Sequence, residues 1–431
     1  MRSTYVWLLT AALALLAMFQ DRRWKPLEVF DWDAGGYYVY LPSAFIYHDL
    51  GRADSLARLQ AAVHDPSHHH NMGLLTLANG RVISKYPLGV ALAQLPWFAG
   101  AHLYAQATGQ PADGFSRPYQ QSIMVAGLCY GLLGLWVLRK LLCHYFDDGP
   151  AAWALAAVGL GTNAFHYLSF EAAMAHAPLL LWQASLLYCT ARWYETPRPR
   201  WILGIGLFLG LAALTRPTEA LFALIPLAWG ITSAAGIRGR LGFLGRHIGV
   251  VAGAVLLALV LVSLQLVFWR VVSGQWLVYT YEDGFDFRHP HLLDGLFSFR
   301  KGWLLYTPLM LVALLSVGWL RRWVPAALLP TLLLVPVVLY VTFSWEQWWY
   351  GGSFGQRSLI SLYPLLALPL AALVASTQNG PRWRYFAART VLALGIVLNL
   401  WQTRQYSTGA LAWDNTTAEA YRHNFFKPKP D

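Results

Sequence analysis

Charge is scarce in this chain. Only 12% of its 431 residues are Asp, Glu, Lys or Arg, against 57% hydrophobic, roughly half the charged share of a soluble domain. That deficit excludes an ordinary water-soluble fold. Cysteine is scarce too. Cys129, Cys143 and Cys189 fall in or beside apolar runs, which suits small buried residues and implies no disulfide framework. The sequence has no Walker-type phosphate loop, no dinucleotide glycine fingerprint and no metalloprotease His-Glu pair on one helix. No stretch reads as a soluble nucleotide-handling domain, so an activated donor is expected to be membrane-borne. Internal repeats and low-complexity linkers are lacking as well. The short alternating segments of a transmembrane barrel do not dominate.

What the chain has is a series of apolar runs near the length that crosses a bilayer. They lie at about 4–19, 119–138, 151–170, 174–191, 201–215, 217–235, 248–269, 302–320, 324–343, 358–376 and 386–403. The fold class expected is all-α, a polytopic transmembrane helical bundle of about 11 spans. Residues 1–404 form its single membrane domain. Within it, 21–118 make a long first external loop with an acidic motif and juxtamembrane surface helices. Residues 405–431 form a polar external tail. Segment 4–19 lacks a small-residue cleavage site, so it reads as an uncleaved first span.

Segment 90–107 decides the topology, and charge decides segment 90–107. It carries Gln94, Pro96, Gly100, His102 and Gln106, which suits a surface helix. If it does not cross, Arg139/Lys140, Arg192/Arg198/Arg200, Arg238/Arg240/Arg246, Arg321/Arg322 and Arg382/Arg384/Arg389 share one face with the N-terminus. The positive-inside rule makes that face cytoplasmic. The net charge of +11 is thus orientation charge and does not point to nucleic acid.

On this topology three polar constellations meet on the external face. The first is Asp31-Trp32-Asp33-Ala34-Gly35-Gly36-Tyr37-Tyr38. Its glycines let backbone turn closely past a ligand. Asp33, with Asp31 as second candidate, is placed to act as a general base on an acceptor hydroxyl or to help hold a divalent cation. A solvated turn with interfacial tyrosines is the plainer alternative. The second constellation contains Glu171 and His176, an acceptor or metal pair if not merely a polar turn. The third is Trp345-Glu346-Gln347-Trp348-Trp349-Tyr350-Gly351-Gly352-Ser353-Phe354-Gly355-Gln356-Arg357. An aromatic belt accounts for Trp348 and Trp349, but not for the glycines and Arg357. Those suit an anion, and Arg grips phosphate oxygens in a fork. Lys85, Arg300 and Lys301 are further candidates for the same phosphate. Tyr37, Tyr38, Arg216, Glu219 and Gly352 complete the expected cleft, with Arg216 and Glu219 alternatively a simple interfacial pair. Four histidines (His64, His68, His69, His70) have no assigned role.

These residues resemble the GT-C superfamily of polyprenyl-phosphate-sugar-dependent glycosyltransferases, whose relatives include protein O-mannosyltransferases and aminoarabinose transferases. Asp33 matches the acidic position of the family's first external loop. Lys85-Tyr86-Pro87-Leu88-Gly89 resembles its surface-helix motif, Leu214-Thr215-Arg216-Pro217-Thr218 its Arg-Pro turn, and Trp348 to Arg357 its late loop. His176 stands where the family has a second acid. The resemblance implies a sugar donor on a polyprenyl phosphate and a lipid, glycan or protein acceptor. It also implies base catalysis by Asp33, a leaving phosphate met by Arg357 or a divalent cation, and inversion at the anomeric carbon. The implied location is a bacterial inner (plasma) membrane, with the site on its extracytoplasmic side. A lipid-linked oligosaccharide ligase and a flippase of lipid-linked sugars are the alternatives. A flippase predicts a mid-bilayer polar path and often repeated halves, and the sequence has neither.

Overall fold

The computed structural model describes residues 1–20, 29–30, 32–52, 73–378 and 380–430. Asp31 and the patch His64, His68, His69 and His70 lie outside the described residues. The first helix, α1 (Arg2–Gln20), leads to the short α2 (Trp32–Tyr38) and α3 (Tyr40–Phe45). Strands β1 (Leu74–Thr76) and β2 (Val82–Ser84) pair antiparallel, with Leu75 opposite Ile83. Three residues apiece are too few to show an alternating pattern in sequence. Helix α4 (Gly89–Thr108) closes the first loop.

The bundle continues through α5 (Arg117–Tyr145), α6 (Asp148–Gly159), α7 (Ala164–Ser169), α8 (His176–Glu195) and α9 (Pro199–Thr215). A 3₁₀ turn, Pro217–Ala223, runs into α10 (Leu224–Ala228), followed by α11 (Ala234–Arg246) and α12 (Ile248–Ser273). Beyond an irregular loop come α13 (Leu292–Phe297), α14 (Trp303–Tyr306), α15 (Leu309–Leu315), α16 (Leu320–Trp323) and α17 (Pro325–Phe343). Another 3₁₀ turn, Arg357–Leu362, enters α18 (Tyr363–Ser376), followed by α19 (Arg382–Thr408) and α20 (Ala418–Asn424). Proline stands in the first turn of α5, α9, α17 and α18, where its missing N–H would have had no helical partner.

Among the described residues, six helical stretches are long and apolar enough to cross a membrane. They are α1, α5, α12, α17, the 3₁₀ turn with α18, and α19. The expected number of about 11 is therefore not reached by length and composition. Of the other runs, 174–191 lies mostly in α8, which has 20 residues but is not among the six, and the rest are short or interrupted. Run 151–170 breaks at Thr162 and Asn163 between α6 and α7, and run 302–320 breaks at Thr307-Pro308 between α14 and α15. Run 217–235 opens in the 3₁₀ turn after Pro217, and α9 has 17 residues. Helix α4, with 20 residues, is also not among the six.

Burial separates centre from rim. The α18 stretch is 94% buried inside the protein and α12 only 11%, so α18 is the core and α12 presents its leucines and valines outward. Close approach is achieved by small residues. A Cβ on Gly127 of α5 would collide with the Ala172 carbonyl, and one on Gly206 of α9 with the Ala254 carbonyl of α12. Such contacts replace the missing hydrophobic drive between helices in lipid.

The break between α6 and α7 is tolerated because its backbone is satisfied inside the protein. The Asn399 amide on α19 donates to the carbonyls of Leu160 and Thr162, both at 2.9 Å. Asn163 donates to the Phe354 carbonyl at 3.0 Å and accepts from the Tyr363 hydroxyl at 2.6 Å. Asn399→Leu strands two buried carbonyls and should cost about 1–3 kcal/mol. The check is a lowered thermal midpoint in detergent. An unchanged midpoint would mean the break is held by other groups.

Candidate functional site

Asp33 lies in the first turn of α2, after Trp32, whose φ is +49°. Gly35 and Gly36 fall inside this helix and not in a turn. The Ser84 hydroxyl of β2 donates to the Gly36 carbonyl at 2.7 Å. That contact sets the hairpin against α2 and brings Tyr86 over Asp33. The Tyr86 hydroxyl donates to Asp33 Oδ1. Burial, and then the charge of Asp33, hold the Tyr86 phenol well above its usual range, so it stays a donor.

The other oxygen of Asp33 meets Arg357. Arg357 Nη2 lies 2.7 Å from Asp33 Oδ2, with side-chain exposures of 13% and 21%. The pair is thus mostly sheltered yet open on one side. Arg357 Nη2 also donates to the Tyr350 carbonyl at 2.7 Å. The loop that delivers Arg357 passes through left-handed backbone at Tyr350, Gly351 and Gly355, with φ of +56°, +68° and +58°. At Gly355 this requires glycine, because a Cβ there would also press on Tyr306. Gln356 ties back to the Trp348 carbonyl at 3.0 Å, and the Tyr167 hydroxyl accepts from the Phe354 N–H at 3.1 Å.

Arg216 and Glu219 support this loop from below. Arg216 Nη1 donates to the Ser358 carbonyl at 3.1 Å and lies 3.6 Å from Glu219 Oε1. Glu219 is 3% exposed and accepts from Gln183 at 2.8 Å and Ser361 at 2.7 Å. The pair is buried against α8 and the Arg357–Leu362 turn, which is more than a surface pair would do.

Lys85 flanks the Asp33 cluster. Its ammonium lies over the rings of Tyr86 (5.2 Å) and Tyr281 (5.7 Å). The Tyr281 phenol is pushed up to about 12, by burial first and then by Asp33. Tyr37 packs its ring 4.4 Å from that of Tyr86. Tyr38 turns away: it stacks on Phe30 at 3.9 Å and donates to the Gly114 carbonyl. Glu171 pairs with His166 (3.6 Å), while His176 packs on Tyr167 at 4.5 Å. His166 is not among the expected site residues; no spacing in sequence marks its pairing with Glu171.

Arg300 and Lys301 are spent on the chain's own C-terminal segment. Arg300 pairs with Asp414 at 3.2 Å and lies over Trp349 at 3.7 Å. Lys301, 2% exposed, donates to the carbonyls of Ser353 and Trp413. Gly352 is small because a Cβ there would strike the Trp413 ring. Trp348 is buried, with its ring 5.9 Å from Trp349. These residues shape the loop carrying Arg357 and do not themselves reach Asp33. Among the described residues, no three His, Cys, Asp or Glu side chains converge as a metal site.

A family model described as dolichyl-phosphate-mannose-protein mannosyltransferase matches residues 115–268. The matched stretch runs from the start of α5 through most of α12 and includes Glu171, His176, Arg216 and Glu219. No curated protein matches the chain. The family match agrees with the GT-C resemblance read from the sequence.

Burial pushes Lys301 down to about 7. A neutral amine has two N–H groups for its two carbonyl partners. Between that value and the usual lysine value of about 10.4, the unfolded chain binds a proton the folded chain lacks, so stability rises with pH. Thermal midpoints should climb from pH 7 to more alkaline pH in the wild type and climb less in Lys301→Met. Parallel pH profiles would contradict a neutral buried lysine.

Proposed function

We propose that this chain transfers a sugar from a polyprenyl-phosphate donor to an acceptor hydroxyl on the extracytoplasmic face of the membrane. It belongs, on this reading, to the GT-C glycosyltransferases in mechanism as well as in resemblance. The observation that carries the proposal is the contact between Asp33 and Arg357. It joins a potential base to a potential phosphate ligand in one half-open site.

The chemistry follows from those two groups. The donor phosphate is a stronger anion for Arg357 than the carboxylate it displaces, and Arg can hold it through two N–H groups. Lys85 adds a second positive charge at the rim. Once Arg357 turns to the phosphate, Asp33 keeps its hydrogen bond from Tyr86 and has one oxygen free. That oxygen accepts the proton of the acceptor hydroxyl. The acceptor oxygen bonds to the anomeric carbon as the bond from that carbon to the phosphate oxygen breaks. The electron pair leaves on the lipid phosphate, met by the Arg357 charge. Attack opposite the leaving phosphate inverts the anomeric centre. The acceptor is a lipid, glycan or protein hydroxyl. The expected location is a bacterial inner membrane.

Two variants test the assignment in membranes supplied with a lipid-linked sugar. Asp33→Asn should lower the transfer rate by roughly 10²–10⁴-fold at unchanged protein level. Arg357→Gln should lower it by roughly 10²–10³-fold, with part of the loss in donor KM. Transfer by Asp33→Asn at the wild-type rate would rule out the base.

A further inference from the structure

A cavity of about 330 Å³ lies at the end of the bundle opposite Asp33. The direction is fixed by α5. Its first turn meets Val29, just before Asp33, through Gln120 at 3.3 Å. Near its other end Arg139 meets Ser3 at 2.8 Å. The cavity sits at that second end, between Arg2 and Val6 of α1 and Tyr385 and Arg389 of α19. Both helices pack on α6, and the floor between them is Ala152 and Ala156 of α6. Alanine there leaves a groove that larger side chains would fill.

Its charge is one-sided. Arg2 and Arg389 both line it, close enough to repel each other. Arg389 is held by neutral groups: the Thr377 hydroxyl at 3.3 Å, the Tyr385 carbonyl at 2.9 Å and the Tyr385 ring at 3.3 Å. No described carboxylate lines the cavity. Asp148, close by, is engaged by the chain's terminal ammonium at 2.8 Å, by the N–H groups of Arg2 and Ser3, and by the Ser3 hydroxyl. It caps α1, and no described carboxylate pairs with either guanidinium. The flanking helices expose Leu8 and Leu9 of α1, and Phe386 and Leu394 of α19. Such exposed apolar side chains suit a hydrocarbon environment.

We propose that this cavity binds an anionic phospholipid. Its phosphate lies between Arg2 and Arg389, and one acyl chain runs along the groove over Ala152 and Ala156. Two interfacial arginines with no counter-charge among the described residues match a lipid phosphate. The apolar, lipid-facing surroundings favour a headgroup that brings its own chain over a free anion. The site is separate from Asp33 and does not depend on the transferase reading.

The test uses the full-length protein purified in a mild detergent, with binding read by native mass spectrometry. The wild type should retain phosphatidylglycerol in preference to phosphatidylcholine, and an equal concentration of inorganic phosphate should not displace it. Arg389→Gln should weaken retention roughly fivefold, and Arg2→Gln with Arg389→Gln roughly thirtyfold. A second measurement needs no variant. Phosphatidylglycerol with a photoreactive acyl chain should cross-link the wild type at α1, α6 and α19 around residues 152–156 and 385–389. Equal retention of both lipids, undiminished retention by the double variant, displacement by inorganic phosphate alone, or labelling spread evenly over the apolar belt would each overturn the proposal.

Discussion

One ion pair closes the site. Asp33 comes from the first loop and Arg357 from the late glycine loop, and they meet at 2.7 Å in a place that water reaches poorly. A sheltered ion pair is a modest source of stability, because desolvation offsets much of the attraction. Removing either partner alone is costly, since it leaves a lone charge. Such a pair yields when a better anion arrives, and a lipid phosphate is one. On the proposed mechanism the resting contact links the two substrates, with occupation of Arg357 by the donor releasing Asp33 for the acceptor.

Much of the surrounding structure keeps these two groups in register. On the Asp33 side, Ser84 bonded to Gly36 sets the hairpin on α2 and brings Tyr86 to the carboxylate. On the Arg357 side, the loop is fastened from three directions. Asn163 and Tyr167 hold Phe354. Lys301 holds Ser353. Ser358 and Ser361 rest on Arg216 and Glu219. Polar side chains are expensive inside an apolar bundle, and here many of them converge on one loop. The break between α6 and α7 belongs to this arrangement, because it is what turns Asn163 toward Phe354.

The sequence showed the parts of this site that charge scarcity makes conspicuous. Asp33 and Arg357 stand out because so few charges lie near the apolar runs. Arg216 and Glu219 stand out because a three-residue spacing brings side chains together on one turn. What stayed hidden depends on chain segments meeting from a distance. Nothing near Arg300 and Lys301 announces that Asp414 and Trp413 return to occupy them. Nor does anything announce that Trp413 packs where a Cβ on Gly352 would stand. Hydropathy marked 151–170 and 302–320 as spans because it weighs composition. The buried Asn and Thr-Pro breaks that interrupt those helices are matters of pairing and backbone.

The most direct measurement is donor binding without turnover: the affinity of the purified protein for a polyprenyl-phosphate sugar, wild type against Asp33→Asn. If Asp33 competes with the donor phosphate for Arg357 and then serves as the base, the variant binds donor at least as tightly as the wild type while transferring almost no sugar. If Asp33→Asn instead loses donor binding in step with activity, the carboxylate holds the donor or the fold, and the account of a released base is contradicted.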